Sequence, residues 1–160
     1  MHLLDILEPR WVKVPLLATT KKDVIAELLS VFADDDVLDS FDQALQAVLD
    51  REAVRTTGIG SGLALPHGKT DAAKRLVMAV GRTAQPVEFG SVDGKPVDII
   101  VLLLSPKSLT GEHIQALARV SRFLSNDSFR KQIRAAEGSD DVYRLLRQQE
   151  LAAQASMADH

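Results

Sequence analysis

The chain has 160 residues, 46% of them apolar, and its 19 basic and 22 acidic side chains leave a net charge of −3; that length supports one well-buried core or at most two small ones. The absence of cysteine excludes disulfide frameworks, thiol catalysis and cysteine-based metal sites. One Trp, one Tyr and five Phe in a mildly acidic chain do not make the basic, stacking surface of a nucleic-acid binder.

At the N-terminus, Met1-His2-Leu3-Leu4-Asp5-Ile6-Leu7-Glu8-Pro9 is too acidic and too soon broken by proline for a signal peptide. No apolar run reaches membrane-spanning length, so the expectation is a cytoplasmic protein without membrane insertion. Val24, Ile25, Leu28, Leu29 and Phe32 recur at helical spacing behind Thr20, with Asp23 three positions after that cap, which predicts a helix over 21–33. Ser40 and Gln43 repeat the signature, and Phe41, Ala44, Leu45, Val48 and Leu49 predict a second helix to about Arg51.

The period then changes. Between Thr56 and Gly68, four glycines and a proline interrupt Leu63-Ala64-Leu65, as suits a brief strand between turns. Leu76 to Val80 and the short Val87-Glu88-Phe89 read as strands. After the Asp93-Gly94 turn, Val97 to Leu104 is nearly all apolar, the pattern of a central strand covered on both faces. Pro106 ends it. Thr110 is positioned to cap a helix over about 111–125 with Ile114, Leu117, Ala118 and Leu124 inward. Asn126 or Asp127 starts a shorter helix, and Ser139 opens a last one through Val142, Tyr143, Leu145 and Leu146. The expected architecture is a single α/β domain over residues 1–150, its sheet sandwiched between helices, with residues 151–160 a loose tail.

The densest unusual stretch runs from Thr56 to Thr70. A dinucleotide fingerprint on Gly58 and Gly60 needs a third glycine at position 63, which is Leu63. A Walker A loop ending at Gly68-Lys69-Thr70 needs glycine at the same position. Both templates miss by one residue, which leaves a nucleotide hydrolase the minority reading. What remains is a glycine-rich backbone leading to His67 in a Pro-His-Gly corner. Such a corner presents one ring nitrogen outward while a backbone carbonyl holds the other; alternatively, His67 simply sits on a surface turn. His113 falls in the first turn of a predicted helix, where the dipole disfavours an imidazolium. It can assist a reaction at His67, or be a helix-start residue half covered by Leu117 and Val120. Arg51 can pair with a phosphate or merely complement its helix's C-terminal dipole. Lys69 reads as a solvated side chain. For a zinc site on His67 and His113, spacing suggests no third ligand.

With Arg51-Glu52, Thr57-Gly58-Ile59-Gly60, Gly62 and Leu65-Pro66-His67-Gly68-Lys69, the sequence resembles the fructose/mannitol-type enzyme IIA domains of the bacterial sugar phosphotransferase system, nearest the nitrogen-regulatory branch. The likeness runs from about residue 3 to 150 and takes in Pro86, Asp98 and a histidine on the helix after the long strand. It implies a mixed β-sheet flanked by helices, with His67 as phosphoryl acceptor. His113 would steady the ring and the phosphoryl group, and Arg51 would meet the phosphoryl oxygens. Backbone donors of a phosphate loop comprising Thr57, Gly58, Gly60, Gly62 and Gly68 would share the charge, with no metal or cofactor. The implied donor is a histidine phosphocarrier protein of the HPr type. The implied recipient is a IIB domain or, for a purely regulatory module, a controlled kinase or transporter. Arg55, where relatives carry a small residue, and Ile114, where leucine is usual, depart from the pattern.

Overall fold

The computed structural model describes residues 1–158. Six strands, β1 (Val12–Leu16), β2 (Gly58–Gly60), β3 (Leu63–Ala64), β4 (His67–Lys69), β5 (Val77–Val87) and β6 (Val97–Ser105), form one mixed sheet. Among the described residues five α-helices flank it: α1 (Lys21–Leu29), α2 (Phe41–Val54), α3 (Thr110–Leu124), α4 (Asp127–Ala135) and α5 (Ser139–Ala158). The expected sandwich of a mixed sheet between helices is the fold observed.

The apolar run after Val97 organises the sheet. Ile99, Ile100, Leu102, Leu103 and Leu104 of β6 are fully buried, so both faces of the strand are covered. One edge of β6 pairs antiparallel with β5, which in turn pairs parallel with β1. The other edge pairs parallel with two short pieces in succession, β3 (Leu63 opposite Ile99) and β4 (His67 opposite Leu103). Between these pieces the chain leaves the ladder at Leu65 and returns through the Pro66 carbonyl, which accepts from Leu103 N–H at 3.1 Å. Helix α1 packs over β1, β5 and β6 with α2 beside it, and α3, α4 and α5 form a second layer. In that second layer, Val120, Phe123 and Leu146 meet Met78, Val80 and Val101 of the sheet.

The helix starts follow their caps. The side chains of Thr20, Ser40 and Asn126 accept from the N–H groups of Asp23, Gln43 and Phe129. Thr110 does not cap: it is the first residue of α3, and its hydroxyl donates to the Lys107 carbonyl within a preceding 3-10 turn at Lys107–Leu109. Ile114 and Ala118, expected to face inward, are exposed, because His113, Ala116 and Val120 take the buried stripe instead. The strand read at 76–80 extends as β5 through Val87, where its pairing with β6 resumes after a register shift, whereas Glu88 and Phe89, read with Val87 as a separate strand, lie beyond its end. The loose tail expected at 151–160 is helical as far as Ala158, since Leu151-Ala152-Ala153 continues α5 with strong helix formers; residues 159 and 160 lie outside the described residues. Glu150, fully buried, anchors α5 by accepting from Arg119 and from Leu3 N–H.

Candidate functional site

His67 opens β4, held at the point where the edge of the sheet is interrupted. Its Nδ1 lies 2.8 Å from the Leu65 carbonyl oxygen. A carbonyl only accepts, so Nδ1 carries the proton and Nε2 keeps a free lone pair. The Leu65 carbonyl is available for this bond because the chain steps out of the ladder at Leu65-Pro66. Gly68 lets β4 approach α2: a Cβ there would stand 3.1 Å from the backbone nitrogen of Val48. The strand carrying His67 is thus wedged between β6 and α2.

Glu52, 7% exposed, supports this corner from below. Its carboxylate accepts from Thr57 N–H at 2.9 Å and from the Thr57 hydroxyl at 2.6 Å, and it pairs with Lys21 at 2.6 Å. The Thr57 carbonyl accepts from Leu65 N–H at 3.0 Å, and the Leu65 carbonyl accepts from His67. A continuous hydrogen-bonded path therefore runs from Glu52 through Thr57 and Leu65 to the imidazole. Sequence reasoning used Glu52 only as part of a motif; its buried position in the last turns of α2, five residues before Thr57, was the signal it carried.

His113 is 2% exposed, and its ring centroid is 5.4 Å from that of His67 at an interplanar angle of 59°. Its Nδ1 lies 2.8 Å from Ser105 Oγ, while its Nε2 is buried without a protein partner among the described residues. Burial above all, with the neighbouring His67 and Lys69, pushes the His113 pKa down from 6.5 to about 4. His67 is also shifted below its ordinary value, chiefly by burial and further by Arg51, against the opposing effect of the Leu65 hydrogen bond. Both rings are therefore neutral near pH 7.

These depressed values make stability depend on pH. The unfolded histidines take up protons at a higher pH than the folded ones, so the stabilisation is present above about 6.5 and is lost as pH falls towards 4. Each ring contributes at most about 1.4 kcal/mol per pH unit in that window. Urea midpoints measured at pH 7 and pH 5 are expected to fall with pH in the wild type, and less steeply in His113→Gln. Equal slopes would contradict a buried neutral His113.

A cavity of about 300 Å³ opens over His67, lined by Arg51, Arg55, Thr56, Thr57, Ile59 and Val92 among others. Arg51 comes from the last turns of α2, and its Nη1 donates to the Arg55 carbonyl at 2.9 Å. The structure thus brings His67, His113, Arg51 and Thr57 together. The rest of the expected phosphate loop is used differently. Thr57 N–H is engaged by Glu52, Gly58 N–H by the Thr56 hydroxyl, and Ser61 N–H by Asp93, so these donors do not converge on a common anion. Gly60 lies beside Asp93. Gly62, at φ +79, sits under the Asp98–Arg134 ion pair and lines a separate cleft with Arg130. Gly68 serves packing. Lys69 is exposed in β4, and the next helix begins only at Thr110, which removes the strand-loop-helix context that a Walker A reading requires. Among the described residues, no group of three or more His, Asp or Glu is assembled to hold a metal ion, and no helix is long and apolar enough to cross a membrane.

Comparison with known proteins gives a consistent result. Residues 5–149 match the family described as "Phosphoenolpyruvate-dependent sugar phosphotransferase system, EIIA 2". A nitrogen regulatory protein of Bradyrhizobium diazoefficiens is 32% identical over 147 residues, covering 91% of this chain and 95% of that protein. A PTS system fructose-specific EIIA component of Haloferax volcanii is 35% identical over 127 residues, covering 79% and 82% respectively. Among solved structures, the nitrogen regulatory protein IIA-Ntr of Neisseria meningitidis superposes with a TM-score of 0.81 at 29% identity, covering 89% of this chain and 97% of that one.

Proposed function

Since the chain belongs to the EIIA 2 family of the phosphoenolpyruvate-dependent sugar phosphotransferase system, and so has a phosphoryl-carrier or regulatory function, we propose that His67 Nε2 is the atom that accepts the phosphoryl group. One observation carries this reading: the Nδ1–H bond to the Leu65 carbonyl commits the other nitrogen to nucleophilic use. The donor is the phosphohistidine of a small carrier protein of the HPr type, meeting this chain in the cytoplasm.

In the transfer, the Nε2 lone pair of neutral His67 forms the new P–N bond in line with the breaking one, whose electron pair returns to the donor's imidazole nitrogen. No proton need move. His67 retains its Nδ1 proton against the Leu65 carbonyl, so the phosphorylated ring is an imidazolium and a good leaving group for onward transfer. Charge on the equatorial oxygens is met by Arg51 from the cavity wall and by His113 from beneath. The work of the site is positioning and electrostatics, without a metal or nucleotide. The loop around Gly58 and Gly60 acts as a rigid wall instead of a set of anion donors.

Arg51 is then the main cation for the transferring group. Arg51→Ala is expected to slow phosphoryl acceptance on the order of 10²-fold, the scale of losing one preorganised charge-stabilising donor, while Arg51→Lys recovers part of the rate. Rapid-quench transfer from the phosphorylated carrier measures both. An unchanged rate in Arg51→Ala would remove Arg51 from the site.

A regulatory use of the same phosphorylation is favoured by the two nitrogen-regulatory relatives. Ile59 and Val92 on the cavity wall are 47% and 71% exposed, and a phosphoryl group brings about −1.5 to −2 charges to this apolar rim. A partner that binds the unmodified rim would be released by modification. Transfer of phosphate from His67 onto a IIB domain supports the sugar-transport reading. Phosphorylation-sensitive binding of a kinase or ion transporter, without onward transfer, supports the regulatory one.

A further inference from the structure

Ser105 is the last residue of β6 and is fully buried. Its backbone carbonyl accepts from Thr70 N–H at 2.8 Å, which leaves the hydroxyl to be accounted for separately. Among the described residues, that hydroxyl has one hydrogen-bond partner, His113 Nδ1 at 2.8 Å. The contact can be made in two ways with different consequences. If His113 Nδ1–H donates to Ser105 Oγ, the serine O–H is a buried donor without an acceptor. His113 Nε2 is then a bare lone pair without a donor. If Ser105 O–H donates to Nδ1, the serine is satisfied and the single group left over is His113 Nε2–H, a buried donor beside the His67 ring. The second arrangement leaves one unsatisfied buried group instead of two, and is favoured because each such group carries a desolvation cost that nothing repays.

We infer that Ser105 is a positioning residue that fixes His113 as the Nε2–H tautomer, so that His113 meets the phosphoryl group as a neutral hydrogen-bond donor. The inference rests on His67 as acceptor and adds what that reading leaves open, the direction of the second histidine's hydrogen bond. The opposite tautomer would turn a lone pair towards phosphoryl oxygens that carry nearly two negative charges. With Ser105 in place, the donor exists before the phosphoryl group arrives and needs no proton from solvent. The Nε2 proton, without a partner among the described residues, acquires its acceptor on phosphorylation. The two histidines thus use opposite tautomers: His67 is protonated on Nδ1 by a carbonyl that can only accept, and His113 on Nε2 by a hydroxyl that donates.

Nitrogen-15 NMR of the unphosphorylated full chain tests this directly at pH 7, where both rings are neutral. His113 is expected to show a protonated Nε2 and an unprotonated Nδ1; the reverse pattern overturns the inference without any mutation. In Ser105→Ala, checked for folding by its backbone amide spectrum, the His113 shifts are expected to move towards a tautomer mixture and phospho-His67 to lose its phosphate about tenfold faster. Ser105→Thr, which keeps the hydroxyl, should restore the wild-type pattern. Unchanged His113 shifts and an unchanged dephosphorylation rate in folded Ser105→Ala would overturn the assignment. Failure of the wild type to be labelled at His67 would instead overturn the acceptor reading, and the two failures are separable because the tautomer is read before phosphate is added.

Discussion

Incubated with phosphoenolpyruvate and the general phosphotransferase proteins, the wild type is expected to gain an acid-labile phosphate and His67→Ala to gain none. The loss is complete because no second nucleophile is presented to the cavity. His113 is 2% exposed with Nε2 enclosed, and the remaining polar lining consists of guanidinium and hydroxyl groups, of which the Thr57 hydroxyl, 4% exposed, is committed to the Glu52 carboxylate that also holds the Thr57 N–H. Replacement at this half-buried strand position should leave the fold intact, so the far-ultraviolet spectrum and melting temperature of His67→Ala should stay near those of the wild type. Label persisting in the variant would transfer the acceptor role to another residue.

Glu52→Ala is expected to show the largest effect on stability among the site residues. The substitution strips Thr57 of the acceptor for both its N–H and its hydroxyl, which are buried, and leaves Lys21 without its carboxylate. Two unsatisfied buried donors place the cost at about 2–3 kcal/mol, with Lys21 adding little because its side chain is 30% exposed and its ammonium keeps the Phe89 carbonyl as an acceptor. For a chain of this size, that is a fall of roughly 5–10 °C in Tm. Function should suffer beyond stability: the hydrogen-bonded path through Thr57 and Leu65 ends on His67, so loosening its base lets the imidazole drift. Acceptance measured well below the lowered Tm is therefore expected to remain impaired. Full activity under those conditions, or an unchanged Tm, would show that the Glu52 cluster does not hold the corner.

The helices were legible because their signals are local. Thr20, Ser40 and Asn126 act within three residues of themselves, and the apolar run from Val97 identifies a strand covered on both faces without knowledge of its neighbours. The strands that escaped sequence reading depend on distant partners. Val12-Lys13-Val14-Pro15-Leu16 contains a proline and alternates poorly, yet it is extended as an edge strand beside β5, where a missing N–H is tolerated. β2 and β4 are three residues each and rich in glycine. They are strands only because β3 and β6 lie alongside.

The site divides in the same way. His67, His113 and Arg51 could be singled out by residue type, helix position and family likeness, and in the structure Arg51 and His67 line one cavity while the buried His113 ring lies 5.4 Å from that of His67. The glycine string suggested anion-binding N–H groups, but a sequence does not reveal that Glu52, the Thr56 hydroxyl and Asp93 already occupy several of them. Ser105 was hidden by its setting: a serine closing an apolar strand just before Pro106 looks like ordinary strand termination until His113 folds back onto it.

The edge pairing of β6 has a further consequence for how the molecule reaches its active form. Arg51, His67 and His113 lie on three segments that have no local reason to meet, and each is placed through a contact with β6 or with a strand that β6 holds. β6 is itself joined to β1 only through β5, across a long stretch of chain. The parallel pairing of β1 with β5 and of β3 and β4 with β6 is non-local, and such contacts form at a higher loop-closure cost than local ones. The proposed phosphoryl-accepting arrangement therefore exists only where the strands around β6 are paired, and competence to exchange phosphate would double as a report that this part of the sheet is in place.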